Sequence, residues 1–160
     1  MSPQDIVISV GAATANISPI GFHGYASEFA TYARQAREGS AGRFSPVSYY
    51  LYCHSLELVL KAFLLAKGVQ KENLKKRSLG HDLCKILTKA KALGLEQEVP
   101  LAHGWEVEIQ KANSYYADKR FEYFHVIAAF VGYPDLPAFD VLNEIVTTLL
   151  EKLEQTCLAA

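Results

Sequence analysis

Apolar residues recur along most of this chain at intervals of three and four, and short glycine- and proline-bearing stretches interrupt them. That period predicts helices with one face turned to a core. Ser18-Pro19 reads as a helix start, a capping hydroxyl followed by proline in the first turn. From there Phe22, Tyr25, Phe29, Tyr32, Ala33 and Ala36 predict one buried stripe of a first helix ending near Glu38. Ser45-Pro46 repeats the start signal, and the following stretch, SPVSYYLYCHSLELVLKAFLLAKG, is almost entirely apolar as far as Lys67. Gly68 then reads as its left-handed close. A helix apolar around most of its circumference belongs at the centre of a bundle or at a subunit seam. The charges inside it, Glu57 and Lys61, stand four apart with the acid first, the favourable order for a pair on one helix.

VQKENLKKRSLG reads as a polar connection. A third helix is expected over residues 81–93, with Leu83, Ile86, Leu87, Ala90 and Leu93 on one face, stopped by Gly94. Trp105, Ile109, Ala112, Tyr115 and Tyr116 mark a fourth, about 101–118. Gly132, Pro134 and Pro137 break the pattern after it. A last helix then runs from about Pro137 to Cys157, with Val141, Leu142, Ile145, Leu149 and Leu153 inward. Five helical segments and no convincing sheet predict an all-α, up-and-down bundle of antiparallel neighbours. It forms a single domain over residues 19–160, preceded by an arm or short strand over residues 1–18.

Composition narrows the function classes. The chain has 160 residues, half of them hydrophobic, with a formal charge of −1 and a pI near 6.5. This balance predicts no general field for nucleic acid or an anionic membrane, and leaves room for a local basic patch. No run of apolar residues is long enough for a membrane span, and the N-terminus lacks the features of a secretory peptide. Cys53, Cys84 and Cys157 are odd in number and widely spaced, and read as reduced core or near-core thiols. Together these features predict a cytoplasmic protein that does not engage a membrane.

Several residues could carry chemistry. His81-Asp82 could form a ligand-binding pair, or a helix cap with an acid that complements the helix dipole. Lys75, Lys76 and Arg77, within KENLKKR, could grip phosphates or simply face water. Cys53, His54, Glu57, His81 and Cys84 are metal-ligand types, but no zinc spacing is present, so neither metal nor cofactor is expected. Glu57 and Lys61 read as a structural pair before an acid/base pair. The tyrosines, Tyr25, Tyr32 and Tyr52 among them, could stack bases, although at helical spacing they read as core. Arg120 and His125, within KRFEYFH, form the one candidate catalytic couple. Histidine can move a proton near neutrality, and a guanidinium can hold a phosphate in its transition state. The plainer reading has Arg120 closing a helix end and His125 at the rim of a core built by Phe121, Tyr123 and Phe124.

Three of these stretches in order resemble the HEPN family of small helical domains: SYYLYCHSLELVLKAFLLAKG (Ser48–Gly68), SLGHDLCKILTKA (Ser78–Ala90) and NSYYADKRFEYF (Asn113–Phe124). The resemblance covers about residues 20–155. It implies a helical bundle that dimerises, in which many members are metal-independent ribonucleases of toxin–antitoxin systems. Their catalytic Arg and His lie four to six residues apart, as Arg120 and His125 do here. Phe121 departs from that pattern, since active members usually carry a polar residue after the arginine. Other members lack the pair and bind partners or nucleotides. Two functions follow as expectations. The first is a HEPN-like module that dimerises and binds a partner, nucleotide or RNA without catalysis. The second is a metal-independent endoribonuclease using Arg120 and His125. An antitoxin or a nucleotidyltransferase-like protein would be the companion.

Overall fold

The computed structural model describes residues 17–76, 79–123 and 126–160, apart from the side chains of 127 and 129. The 1–16 part of the expected N-terminal arm, Arg77 and His125 lie outside the described residues. Two long helices open the chain: α1 (Pro19–Gly39) and α2 (Pro46–Ala66). A single turn, α3 (Lys71–Leu74), leads to α4 (Leu83–Ala92) and a second turn, α5 (Leu95–Glu98). Then come α6 (Trp105–Tyr116), the short α7 (Val126–Val131) and the long α8 (Phe139–Leu158). The all-α bundle expected from the sequence is the fold. Among the described residues no helix is long and apolar enough to cross a membrane.

Two helix starts form as their sequences dictate. The Ser18 and Ser45 hydroxyls accept hydrogen bonds from the amides of Gly21 and Ser48, and a proline follows each cap. The α2 helix is the axis of the bundle. It buries thirteen residues and packs against α1, α8, α4 and α6. Leu56, Leu60, Phe63 and Leu64 are fully enclosed. Polar ties cross the apolar contacts: Ser55 donates to the Ala26 carbonyl at 2.7 Å, Tyr52 to Asn143 at 2.6 Å, and the His23 ring meets the Leu150 carbonyl at 2.8 Å.

Of the stripe expected for α1, Ala33 is buried, and the rest is corrected by one position. The face turned inward is His23, Ala26, Ala30 and Ala33. Three alanines let the backbones of α1 and α2 approach closely, which displaces the larger side chains to the flank. Phe22, Phe29 and Ala36 are half-buried there, and Tyr25 and Tyr32 are exposed. The fourth and fifth long helices also start later than expected, at Trp105 and Phe139. Gly104 caps the first of these in the left-handed region, and Pro137 stands two residues ahead of the second. Within VQKENLKKRSLG, expected as a connection, the turn α3 forms over a buried Leu74.

Helices α2 and α6 end in the same way. The Val69 amide reaches back to the Leu64 carbonyl and Gly68 to Leu65, while Arg120 reaches Tyr115 and Lys119 reaches Tyr116. Each is a Schellman close, whose penultimate residue must be left-handed. Gly68 takes that conformation at φ +84° without a Cβ; Lys119 takes it at φ +58° with one. For an L-residue with a side chain the left-handed region costs about 1–2 kcal/mol. Lys119→Gly is therefore expected to raise the unfolding free energy by about 1 kcal/mol and Gly68→Ala to lower it by about as much. Urea melts of the two variants should shift in opposite directions; a shift of the same sign would contradict the assignment.

Candidate functional site

One face of the otherwise apolar α2 carries His54, Glu57 and Lys61 at spacings of three and four, so all three lie on one line of the helix. Glu57 is only 2% exposed. Burying a carboxylate is costly unless its oxygens are supplied with donors, and here three elements supply them. Lys61 donates to Oε1 at 2.6 Å and also to the Gly80 carbonyl at 2.8 Å. The Tyr116 hydroxyl, from α6, donates to Oε2 at 2.7 Å. His81, in the loop before α4, places Nδ1 at 2.9 and 3.2 Å from the two oxygens.

These contacts fix the proton positions. Lys61 can only donate, and Tyr116 spends its proton on Glu57, so the phenol oxygen accepts from Nδ1 of His54 at 2.8 Å. His81 faces a carboxylate that accepts, so its Nδ1 carries hydrogen and Nε2 is the nitrogen turned away from Glu57. The His81 side chain is 62% exposed. Tyr116 stands edge-on to it, and His54 lies between Phe29, edge-on, and Tyr50, stacked.

Burial pushes the Glu57 carboxyl up, but the Lys61 charge and hydrogen bonds from Lys61, Tyr116 and His81 outweigh it, leaving the pKa below the usual range. Burial lowers the His54 pKa, with Glu57 opposing. Burial, then the nearby Glu57 charge, drives the Tyr116 phenol far up. At neutral pH the cluster thus holds an ionised Glu57–Lys61 pair, a neutral His54 and an un-ionised Tyr116. No group of three or more His, Cys, Asp or Glu side chains among the described residues is disposed to hold a metal ion.

Asp82 is the N-cap of α4. Its Oδ1 accepts from the Lys85 amide at 3.1 Å and from the Asn113 side chain at 3.1 Å, while Asn113 accepts from the Leu83 amide at 2.7 Å. The structural roles expected for Asp82 and for the Glu57–Lys61 pair are the ones observed. Beyond this cap lies a cavity of about 960 Å³, with Lys76, Lys85 and Lys89 among its lining together with Asn73, Asp82 and Asn113. On the other side of α3 a pocket of about 350 Å³ is lined by Phe22, Leu58 and Leu74, with Lys61, Lys71, Lys75, Glu57 and Glu72. The turn α3 and the exposed Lys75 and Lys76 after it are a basic ridge between two hollows.

Arg120 stands apart from both, half-buried, with its guanidinium 4.5 Å above the Tyr115 ring. It forms no ion pair among the described residues, so Glu122 does not neutralise it there. Phe121 is buried as expected, stacked on Tyr49 and Tyr115, but Tyr123 is exposed rather than drawn into the core. Compared with known proteins, the chain matches no family model, no curated protein and no solved structure.

Two outcomes follow for the buried cluster. Lys61→Met strands Glu57 and is expected to cost about 3–5 kcal/mol, measured by urea denaturation. His54 and Glu57 both have folded pKa values below their ordinary ones, so the unfolded chain takes up their protons first. Stability should therefore fall as pH drops through the ordinary histidine value of 6.5, and fall further below the ordinary glutamate value of 4.5. In His54→Gln the decline between pH 7 and 5 should flatten; an unchanged slope would remove His54 from the account.

Proposed function

We propose that the chain is a HEPN-like helical module that binds a phosphate-bearing ligand, a nucleotide or RNA, and acts by binding rather than by catalysis. The observation that supports this reading is the basic ridge. Lys71, Lys75 and Lys76, with Lys85 and Lys89, border two hollows on either side of one turn. Ammonium groups set around partly apolar concavities suit an anion that carries a flat or apolar body. Of the binding residues expected from the sequence, Lys75, Lys76 and Asp82 line these hollows, His81 precedes Asp82 in the chain without lining either, and Arg77 lies outside the described residues. Exposed Val126, Phe130 and Val131 on α7 support association with a second copy or a partner.

Titration with ATP and with a single-stranded oligoribonucleotide tests this. Binding should weaken with added salt, and Lys76→Glu with Lys85→Glu should raise Kd about tenfold or more. Binding that ignores both salt and the double substitution would overturn the reading.

A second reading, the metal-independent ribonuclease, is supported by the position of Arg120 at a helix end without an ion-pair partner among the described residues. RNA incubated in EDTA should then be cut by the native chain and left intact by Arg120→Ala and His125→Ala. Equal cutting by all three would remove those residues from the role.

A further inference from the structure

The contacts around His81 carry a consequence separate from ligand binding. We propose that His81 is a phosphoryl-acceptor site, whose Nε2 is phosphorylated by a donor of the acyl phosphate or phosphoramidate class. A neutral imidazole is a good nucleophile at nitrogen when one nitrogen carries hydrogen, the other is free, and the ring is held so that the free one faces the reagent. Here Nδ1 is the nitrogen engaged, and Nε2 forms no hydrogen bond among the described residues. Nδ1 is tied at 2.9 and 3.2 Å to the two oxygens of a carboxylate that is itself 2% exposed. That carboxylate is in turn fixed by Lys61 and Tyr116, and Lys61 also grips the Gly80 carbonyl, so both ring and loop are anchored. The His81 side chain nonetheless remains 62% exposed. A carboxylate behind an imidazole sets its tautomer and orientation; where the ring is a metal ligand, loss of such a partner commonly costs about 10–100-fold.

The Nε2 lone pair attacks phosphorus and an N–P bond forms. The bond from phosphorus to the donor breaks, and its electron pair leaves with the carboxylate of an acyl phosphate or the ammonia of phosphoramidate. The ring is then cationic with hydrogen still on Nδ1, and that hydrogen faces Glu57.

The chain holds its own control. His103 is also exposed, and no hydrogen bond or ion pair is formed by its ring among the described residues. The test is incubation of the full chain with potassium phosphoramidate, followed by site-resolved mass spectrometry and ³¹P NMR. His81 should be modified about tenfold or more faster than His103, at Nε2 alone. In Glu57→Gln the rate at His81 should fall toward that of His103, while His103 is unchanged. Should that variant fail to fold, the comparison of the two histidines in the native chain stands by itself. Equal rates at the two sites, or phosphorylation of His81 at Nδ1, would overturn the proposal.

Discussion

The Glu57 carboxylate is the constraint around which the middle of this bundle is organised. It sits inside the most apolar helix of the chain, where an unpaired negative charge would be prohibitive. Its donors come from three places: Lys61 on the same helix, His81 in the loop before α4, and Tyr116 near the end of α6. Each donor removed leaves the buried charge less well compensated, so the network favours one placement of α4 and α6 against α2. The apolar contacts of α1 and α8 with α2 carry no such directional demand, and their register is set by shape and by a few hydrogen bonds. A buried ion pair adds little net stability compared with an apolar substitute. Its effect here is to exclude alternative packings.

The parts of the fold legible from sequence are those where one physical signal dominates. Trp105, Ile109, Ala112, Tyr115 and Tyr116 were expected on one face of a helix, and all five are buried on α6. Ser-Pro pairs marked both long N-terminal helices because cap and proline act locally. The aromatic stripe of α1 lies one position from its buried face, because period alone cannot rank a stripe of aromatics against an adjacent stripe of alanines. Close backbone approach favoured the alanines. Lys119 gave no sign of its left-handed backbone, which comes from the helix close it completes.

The candidate site divides similarly. The line His54, Glu57, Lys61 is visible in the sequence as a polar stripe on an apolar helix, and Lys75, Lys76, His81 and Asp82 as a charged stretch beside a helix start. What joins them is not. Tyr116 reads as an ordinary core aromatic, and only the fold brings its hydroxyl to a carboxylate fifty-nine residues away. Asn113 likewise caps a helix thirty residues distant. Contacts of that range depend on how helices cross, which local pattern does not encode. The same holds for charge: a net of −1 conceals six lysines lining the two hollows beside one turn.

The thiols follow from the packing in another way. Cys53 is wholly enclosed and Cys157 nearly so, while Cys84 lies half-covered at a cavity wall. Burial raises all three acidities' pKa values, far up for Cys53 and to about 11 for Cys157. Alkylation requires the thiolate and a path for the reagent. A pulse of maleimide therefore meets Cys84 in the native bundle and reaches the other two only when the helices part, which gives the chain a built-in clock for its own opening.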